Sequence, residues 1–201
     1  MPSPLEPAAV AVFCGSSSGT DPEYADVARA VGAAIAEREL AVVYGGASVG
    51  LMGAVADGAL DAGGRVLGVL PQALADRELA HPGLSELHIV GSMHERKALM
   101  ADLAGAFVAL PGGAGTLEEI AEQWTWAQLG AHGKPCGFLD VRGFWQPLLA
   151  SVARMRDDGF LAADHAAMLL VEERIEDLLD AFDAYEPPAP KWRTPPPPPP
   201  V

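Results

Sequence analysis

Cysteine is nearly absent from this chain: Cys14 and Cys136 are the only two in 201 residues. Two thiols cannot build the disulfide framework of a small secreted domain, and the pattern is that of reduced cytosolic cysteines. Cations are scarce as well, with 13 Lys and Arg against 27 Asp and Glu and a formal net charge of −14. That balance argues against nucleic-acid binding, which depends on a basic face, and any positive potential for an anion must be local. No apolar run approaches the ~18 residues of a membrane span. The opening Met1-Pro-Ser-Pro-Leu-Glu6 lacks the basic start of a signal peptide. A cytoplasmic protein with no membrane or nucleic-acid partner is expected. The five histidines show no ligand spacing, and His94-Glu95 does not open a zinc H-E-x-x-H because Ala98 holds the fifth position. No metal is expected.

What is present is a core. Half of the residues are hydrophobic, enough for one α/β domain of this length. Short apolar runs at residues 9–13, 41–44, 65–70, 87–90, 106–110, 137–141 and 168–171 read as strands. Helical segments fall between them, the first opened by Asp21-Pro22 and running to about Arg38. This alternation predicts a parallel sheet of about seven strands covered by helices on both faces. Pro71 to Ser85, carrying Glu78 and His81-Pro82, reads as a loop. Residues 1–8 are expected to be a flexible start and 9–186 a single domain. From Pro187 onward nine of 15 residues are proline, which predicts an extended or disordered tail at 187–201.

The most informative segment is Leu110-Pro111-Gly112-Gly113-Ala114-Gly115-Thr116-Leu117-Glu118-Glu119, placed between an apolar strand and an amphipathic helix. Its glycines let the backbone turn tightly and bring amides close to a ligand, while the helix start adds free N–H groups and a positive dipole end. That combination suits an anion, above all a phosphate. Carboxylates within one turn of it suggest chemistry on a phosphorylated substrate. The same residues also read as a T-x-x-E capping box, in which Thr116 and Glu119 satisfy each other's backbone donors. The dinucleotide fingerprint fails, since Glu118 stands where its third glycine belongs, and there is no G-K-[ST] of an ATPase loop. No organic cofactor is expected.

A second motif, Ser92-Met93-His94-Glu95-Arg96-Lys97, begins a helix running to about Leu103. Arg96, Met100 and Leu103 fall at i, i+4 and i+7, which puts Arg96 in line with the apolar stripe. Two cations in a first helical turn oppose the dipole, and an anion from elsewhere would relieve them; a solvated Arg–Lys pair is the plain alternative. Further glycine loops follow the first two strands, at Gly15-Ser16 and Gly45-Gly46. All of them open onto one edge of a parallel sheet, so these four residues join the candidate substrate contacts. Gly15 to Gly19 also fits a G-x-S-x-G elbow, with Ser17, Asp140 and His165 in triad order, but that reading leaves Arg96 and the 111–116 loop without a role. Trp124 and Trp126 read as packing or subunit-interface residues.

Together, GSS, YGG-x-x-x-GLMG, M-H-x-R-K and PGG-x-GT-x-x-E resemble the LONELY GUY family of cytokinin riboside 5′-monophosphate phosphoribohydrolases, in family order from about Ala9 to Tyr185. The resemblance implies a Rossmann-like fold, a homodimer, and hydrolysis of the N-glycosidic bond of a nucleoside monophosphate to free base and ribose 5-phosphate. It implies Arg96 and Glu119 as the catalytic pair. It also implies substrate contacts at Glu78, Lys97, Gly113, Ala114, Gly115, Thr116, Leu117, Glu118 and Thr125. The 5′-phosphate is expected on the Gly112–Thr116 turn with Lys97 nearby as a phosphate contact. Two positions depart from the pattern. Ala47 replaces a third glycine, and Ala114 stands where many plant members carry an aromatic residue. The older label for such proteins, possible lysine decarboxylase, finds little support in a chain with three lysines. A non-catalytic nucleotide or cofactor carrier is the alternative function, since phosphate cradles also serve binding proteins.

Overall fold

The first strand, β1 (Ala9–Phe13), turns Val10 and Val12 to one face and Ala9, Ala11 and Phe13 to the other, and both sets are buried. An apolar run with no polar alternation must be covered on both sides. The computed structural model describes residues 5, 8–75 and 80–191. Six more strands follow: β2 (Ala41–Tyr44), β3 (Val66–Pro71), β4 (Glu86–Val90), β5 (Ala106–Ala109), β6 (Cys136–Leu139) and β7 (Leu169–Glu172). All pair in parallel, in the order β4-β3-β2-β1-β5-β6-β7.

The helices are α1 (Glu23–Glu37), α2 (Gly50–Asp61), α3 (Gln72–Ala75), α4 (Met93–Leu103), α5 (Ala114–Leu129), α6 (Gln146–Asp157), α7 (Ala163–Ala166) and α8 (Ile175–Asp183). Residues of α1, α2 and α8 pack with Val10 and Val12; residues of α4, α5 and α6 pack with Phe13, Phe107 and Phe138 on the opposite face. The fold is the expected two-faced, Rossmann-like α/β sandwich. No helix among the described residues is long and apolar enough to cross a membrane.

The topology fixes where a ligand can sit. The chain starts at β1, winds outward to β4, then returns to the other side of β1 to lay down β5. Strand order therefore reverses between β1 and β5, and the loops leaving their carboxyl ends diverge around a crevice. Gly15 N–H donates to Pro111 O at 3.1 Å, tying the two loops together at its floor.

Two local differences have plain causes. The expected 71–85 loop opens with the single turn α3, too short to leave a periodic signal, and Glu78 lies outside the described residues. Ala80 then bridges to Ala47, and His81 N–H donates to Gly46 O at 2.9 Å, fastening this loop to the second glycine loop. The proline-rich stretch begins along the end of α5, where Pro190 lies over Gly130 and Lys191 N–H donates to Gln128 O at 2.8 Å. Residues 192–201 lie outside the described residues.

Candidate active site

Helix α5 starts three residues earlier than a capping box at Thr116 requires. Gly113 is the N-cap, with extended φ −94° and ψ −159°, and no side chain caps the helix. Leu117 N–H makes the first intrahelical bond, to Gly113 O at 3.1 Å. The amides of Ala114, Gly115 and Thr116 precede that bond and point out of the helix start. Thr116 and Glu119 are thus interior residues of α5 and do not cap it. None of Gly112, Gly113 and Gly115 has a positive φ, so left-handed backbone is not what calls for glycine here. Gly112 is required by packing, since a Cβ there would collide with Oγ1 of Thr116 and approach the Gly15 nitrogen. At Gly113 and Gly115 a Cβ would meet nothing within 4 Å. The fold does not need glycine at those two positions, whereas an anion approaching the exposed amides does.

Arg96 reaches the same crevice from α4. Ser92 caps that helix by accepting from Glu95 N–H at 3.1 Å, and Glu95 Oε2 accepts in return from Gly91 N–H at 2.8 Å. The Arg96 side chain crosses over β2 and donates from Nε to Val69 O at 3.2 Å. Its guanidinium rests on the backbone of Gly45, where any Cβ would collide with Nη2. Gly45 is the residue that leaves room for the guanidinium beside the end of β2.

Arg96 Nη1 stands 3.6 Å from Glu119 Oε1, and each side chain is 11% exposed. Burial pushes the Glu119 carboxyl above the ordinary glutamate value, against the pull of Arg96. The pair faces a cavity of about 330 Å³, a size suited to a small ligand. Gly15, Ser16, Gly45, Gly113, Ala114, Gly115 and Thr116 line it together with Arg96 and Glu119. Loops from β1 and β2, the start of α5 and the first turn of α4 therefore converge as the glycine signals suggested. Cys14, Met52 and Met100 line it as well and escaped the sequence reading. Met100 was legible as the residue one turn beyond Arg96. Cys14 was not, because a buried thiol at a strand end has no distinguishing pattern, and burial raises its pKa far from reactive values.

Other candidates lie apart from this cavity. Lys97 is buried on α4 with Nζ 2.5 Å from Glu118 Oε1 and 3.1 Å from Glu122 Oε1. The anions that relieve the cationic first turn of α4 are thus carboxylates of α5. Leu117 is exposed on α5, and Glu118, though more than half exposed, turns its carboxylate to Lys97. Thr125 is exposed further along, its hydroxyl donating to Ala121 O at 2.7 Å. Gly46 makes a left-handed turn against Leu70. Gly112 lines a neighbouring cavity of about 290 Å³ with Ser17, Tyr24 and Phe144. The triad reading fails geometrically: Asp140 accepts from Trp145 N–H and Gln146 Nε2, while Ser17 and His165 line separate cavities. Trp124 is a packing residue whose indole donates to His165 O at 2.9 Å.

A family model described as possible lysine decarboxylase matches residues 52–182. The cytokinin riboside 5′-monophosphate phosphoribohydrolase of Rhodococcoides fascians is 47% identical over 177 residues, 88% of this chain and 89% of that protein. The chain belongs to the LONELY GUY family. The cytokinin riboside 5′-monophosphate phosphoribohydrolase LOG7 of Arabidopsis thaliana is 44% identical over 178 residues, 89% of this chain and 82% of its own. Among solved structures, a molybdenum cofactor binding protein from Rippkaea orientalis matches with a TM-score of 0.67 at 19% identity, covering 88% of this chain and 96% of that one. The molybdenum cofactor carrier protein of Chlamydomonas reinhardtii matches with a TM-score of 0.67 at 22% identity over 87% and 95% of the two chains. These two likenesses speak to the fold alone. The family's decarboxylase label fits poorly with Lys97: burial alone would lower its pKa, but Glu118 and Glu122 more than offset this and hold it as an ammonium, unsuited to Schiff-base chemistry.

Proposed function

We propose that this protein hydrolyses the N-glycosidic bond of AMP or an N6-substituted AMP such as a cytokinin riboside 5′-monophosphate, releasing free base and ribose 5-phosphate. The observation that carries this reading is the Arg96–Glu119 pair set beside the open amides of α5 in one cavity. The 5′-phosphate accepts hydrogen bonds from those amides at the positive end of the helix. Glu119 stabilises the oxocarbenium-like ribosyl transition state or aligns the attacking water. Arg96 orients the substrate and aids departure of the base. Water supplies the hydroxyl to C1′ and a proton to the base, so the step balances without a redox cofactor or added electrophile. A carrier has no use for a buried carboxylate facing an anionic ligand, and the family's named members are phosphoribohydrolases.

A homodimer and a cytoplasmic location belong to the same proposal. Leu117, Leu129 and Met93 are exposed on α5 and α4, and pairing of two copies would cover such apolar surface. Both cysteines are free and buried, in keeping with a reducing compartment.

Arg96→Ala is the first test. Its kcat for base release should fall by roughly 10²–10⁴. Combined with Glu119→Gln, it should be little worse than either single change, because the two act as a unit. Multiplicative losses, or an active Arg96→Ala protein, would separate the pair.

A further inference from the structure

The same two helices that carry Arg96 and Glu119 meet a second time, immediately beside them. Arg96 and Lys97 are successive on α4, and Glu118 and Glu119 are successive on α5, so each pair is splayed by about 100° around its helix. One member of each faces the cavity, and the other faces the seam between the helices. In the seam, the Lys97 ammonium sits between Glu118 and Glu122, which lie one turn apart on α5. The Lys97 side chain is 7% exposed, less than that of Arg96.

An ammonium facing two carboxylates is a poor anion site. The cluster carries excess negative charge, and Oε2 of Glu122 is buried with no hydrogen-bond partner among the described residues. A phosphate drawn to Lys97 would meet both carboxylates. Lys97 is also absent from the cavity lining, which the α5 amides, Arg96 and Glu119 supply.

We infer that Lys97 is the positioning residue of this site, a clamp between α4 and α5 that sets Arg96 against Glu119, and that it does not hold the substrate phosphate. This rests on the reading of Arg96 and Glu119 as the catalytic pair. The clamp has an electrostatic consequence. Glu119 is faced by Arg96 and Lys97 from α4, by Cys14 from the loop after β1, and by Glu118 and Glu122 along its own helix. Lys97 holds the Glu119 pKa down while the two neighbouring carboxylates push it up. Removing the cation therefore leaves Glu119 to protonate at higher pH.

The experiment measures kcat and KM for AMP across pH in Lys97→Met, Lys97→Arg and the triple variant Lys97→Met/Glu118→Gln/Glu122→Gln. Lys97→Met should lower kcat about 10–100-fold, the scale of a small misplacement of reacting groups. Its KM should stay within about threefold of the unsubstituted value, since no substrate contact is lost. The acid limb of its kcat/KM profile should move to higher pH. Lys97→Arg keeps the cation and should recover most of the turnover. In the triple variant the carboxylates that need neutralising are gone, so its acid limb should return toward the original position with KM still near normal. If Lys97→Met does not fold, the triple variant, with no unpaired charge in the seam, carries the test. A KM raised tenfold or more with kcat unchanged, in either variant, would make Lys97 a phosphate ligand and overturn the inference. So would an unaltered kcat in both. Failure of the catalytic-pair reading is recognised separately, by a Glu119→Gln protein that turns over normally.

Discussion

Glu119→Gln is expected to fold, to bind AMP, and to release base roughly 10²–10⁴ times more slowly than the unsubstituted protein. The substitution preserves shape and leaves an amide oxygen to accept from Arg96, but it removes the charge that a ribosyl cation or an attacking water needs. Stability should change by about 1 kcal/mol or less, the scale of one altered hydrogen bond, because Glu119 is an interior residue of α5 and caps nothing. The carboxylate also predicts the pH profile. Burial raises its pKa, so acidification protonates it before it would protonate an ordinary glutamate at about 4.3. The acid limb of kcat/KM should thus lie above that value and vanish in the Gln variant. Parallel measurement of melting temperature and base release checks both halves. Near-normal turnover in Glu119→Gln would return the residue to a purely structural role.

Loss of the 5′-phosphate should be nearly as damaging. Charge-assisted hydrogen bonds contribute about 1.5–3 kcal/mol each, and three amides at the start of α5 precede its first intrahelical bond. Adenosine, which forgoes two or three of these bonds, should therefore show a kcat/KM lower than AMP by about 10²–10⁶. Gly115→Ala probes the same cradle from the protein side. A methyl group there meets no protein atom, and alanine in a helix is more stable than glycine by roughly 0.5–1 kcal/mol. The variant should melt no lower than the original and yet bind AMP more weakly. Equal rates on adenosine and AMP would remove the phosphate argument altogether.

The parts of this site that could be read from the sequence are those with a local signature. Apolar runs of four to six residues reported all seven strands, and their parallel order brought every glycine loop to one edge. The Arg96–Glu119 pairing was reachable through the family resemblance, which each residue's distinctive motif carries. The reasons behind those motifs were less legible. T-x-x-E at 116–119 matches a capping box by spacing, but tertiary context starts the helix at Gly113 and leaves both residues inside it. The cap that does form, with Ser92 accepting from Glu95 N–H and Glu95 accepting from Gly91 N–H, has no signal that stands out beside the cations that follow it. Lys97 shows the limit most clearly: helical spacing sets Arg96 in line with the apolar stripe but does not report that Lys97, one residue on, enters a seam with Glu118 and Glu122. That partner choice depends on how two helices distant in sequence cross, which no local pattern records. The role of Gly45, beneath the guanidinium of Arg96, is invisible for the same reason.

The most direct measurement is product analysis with the purified protein. AMP and N6-isopentenyl-AMP are incubated separately with it in excess chelator, and the products are separated and identified. The account predicts equal amounts of free base and ribose 5-phosphate from at least one of them, with no nucleoside and no inorganic phosphate. Binding of the nucleotides with no base released would contradict it and favour a carrier; appearance of the nucleoside and inorganic phosphate would contradict it by placing the chemistry at the phosphate.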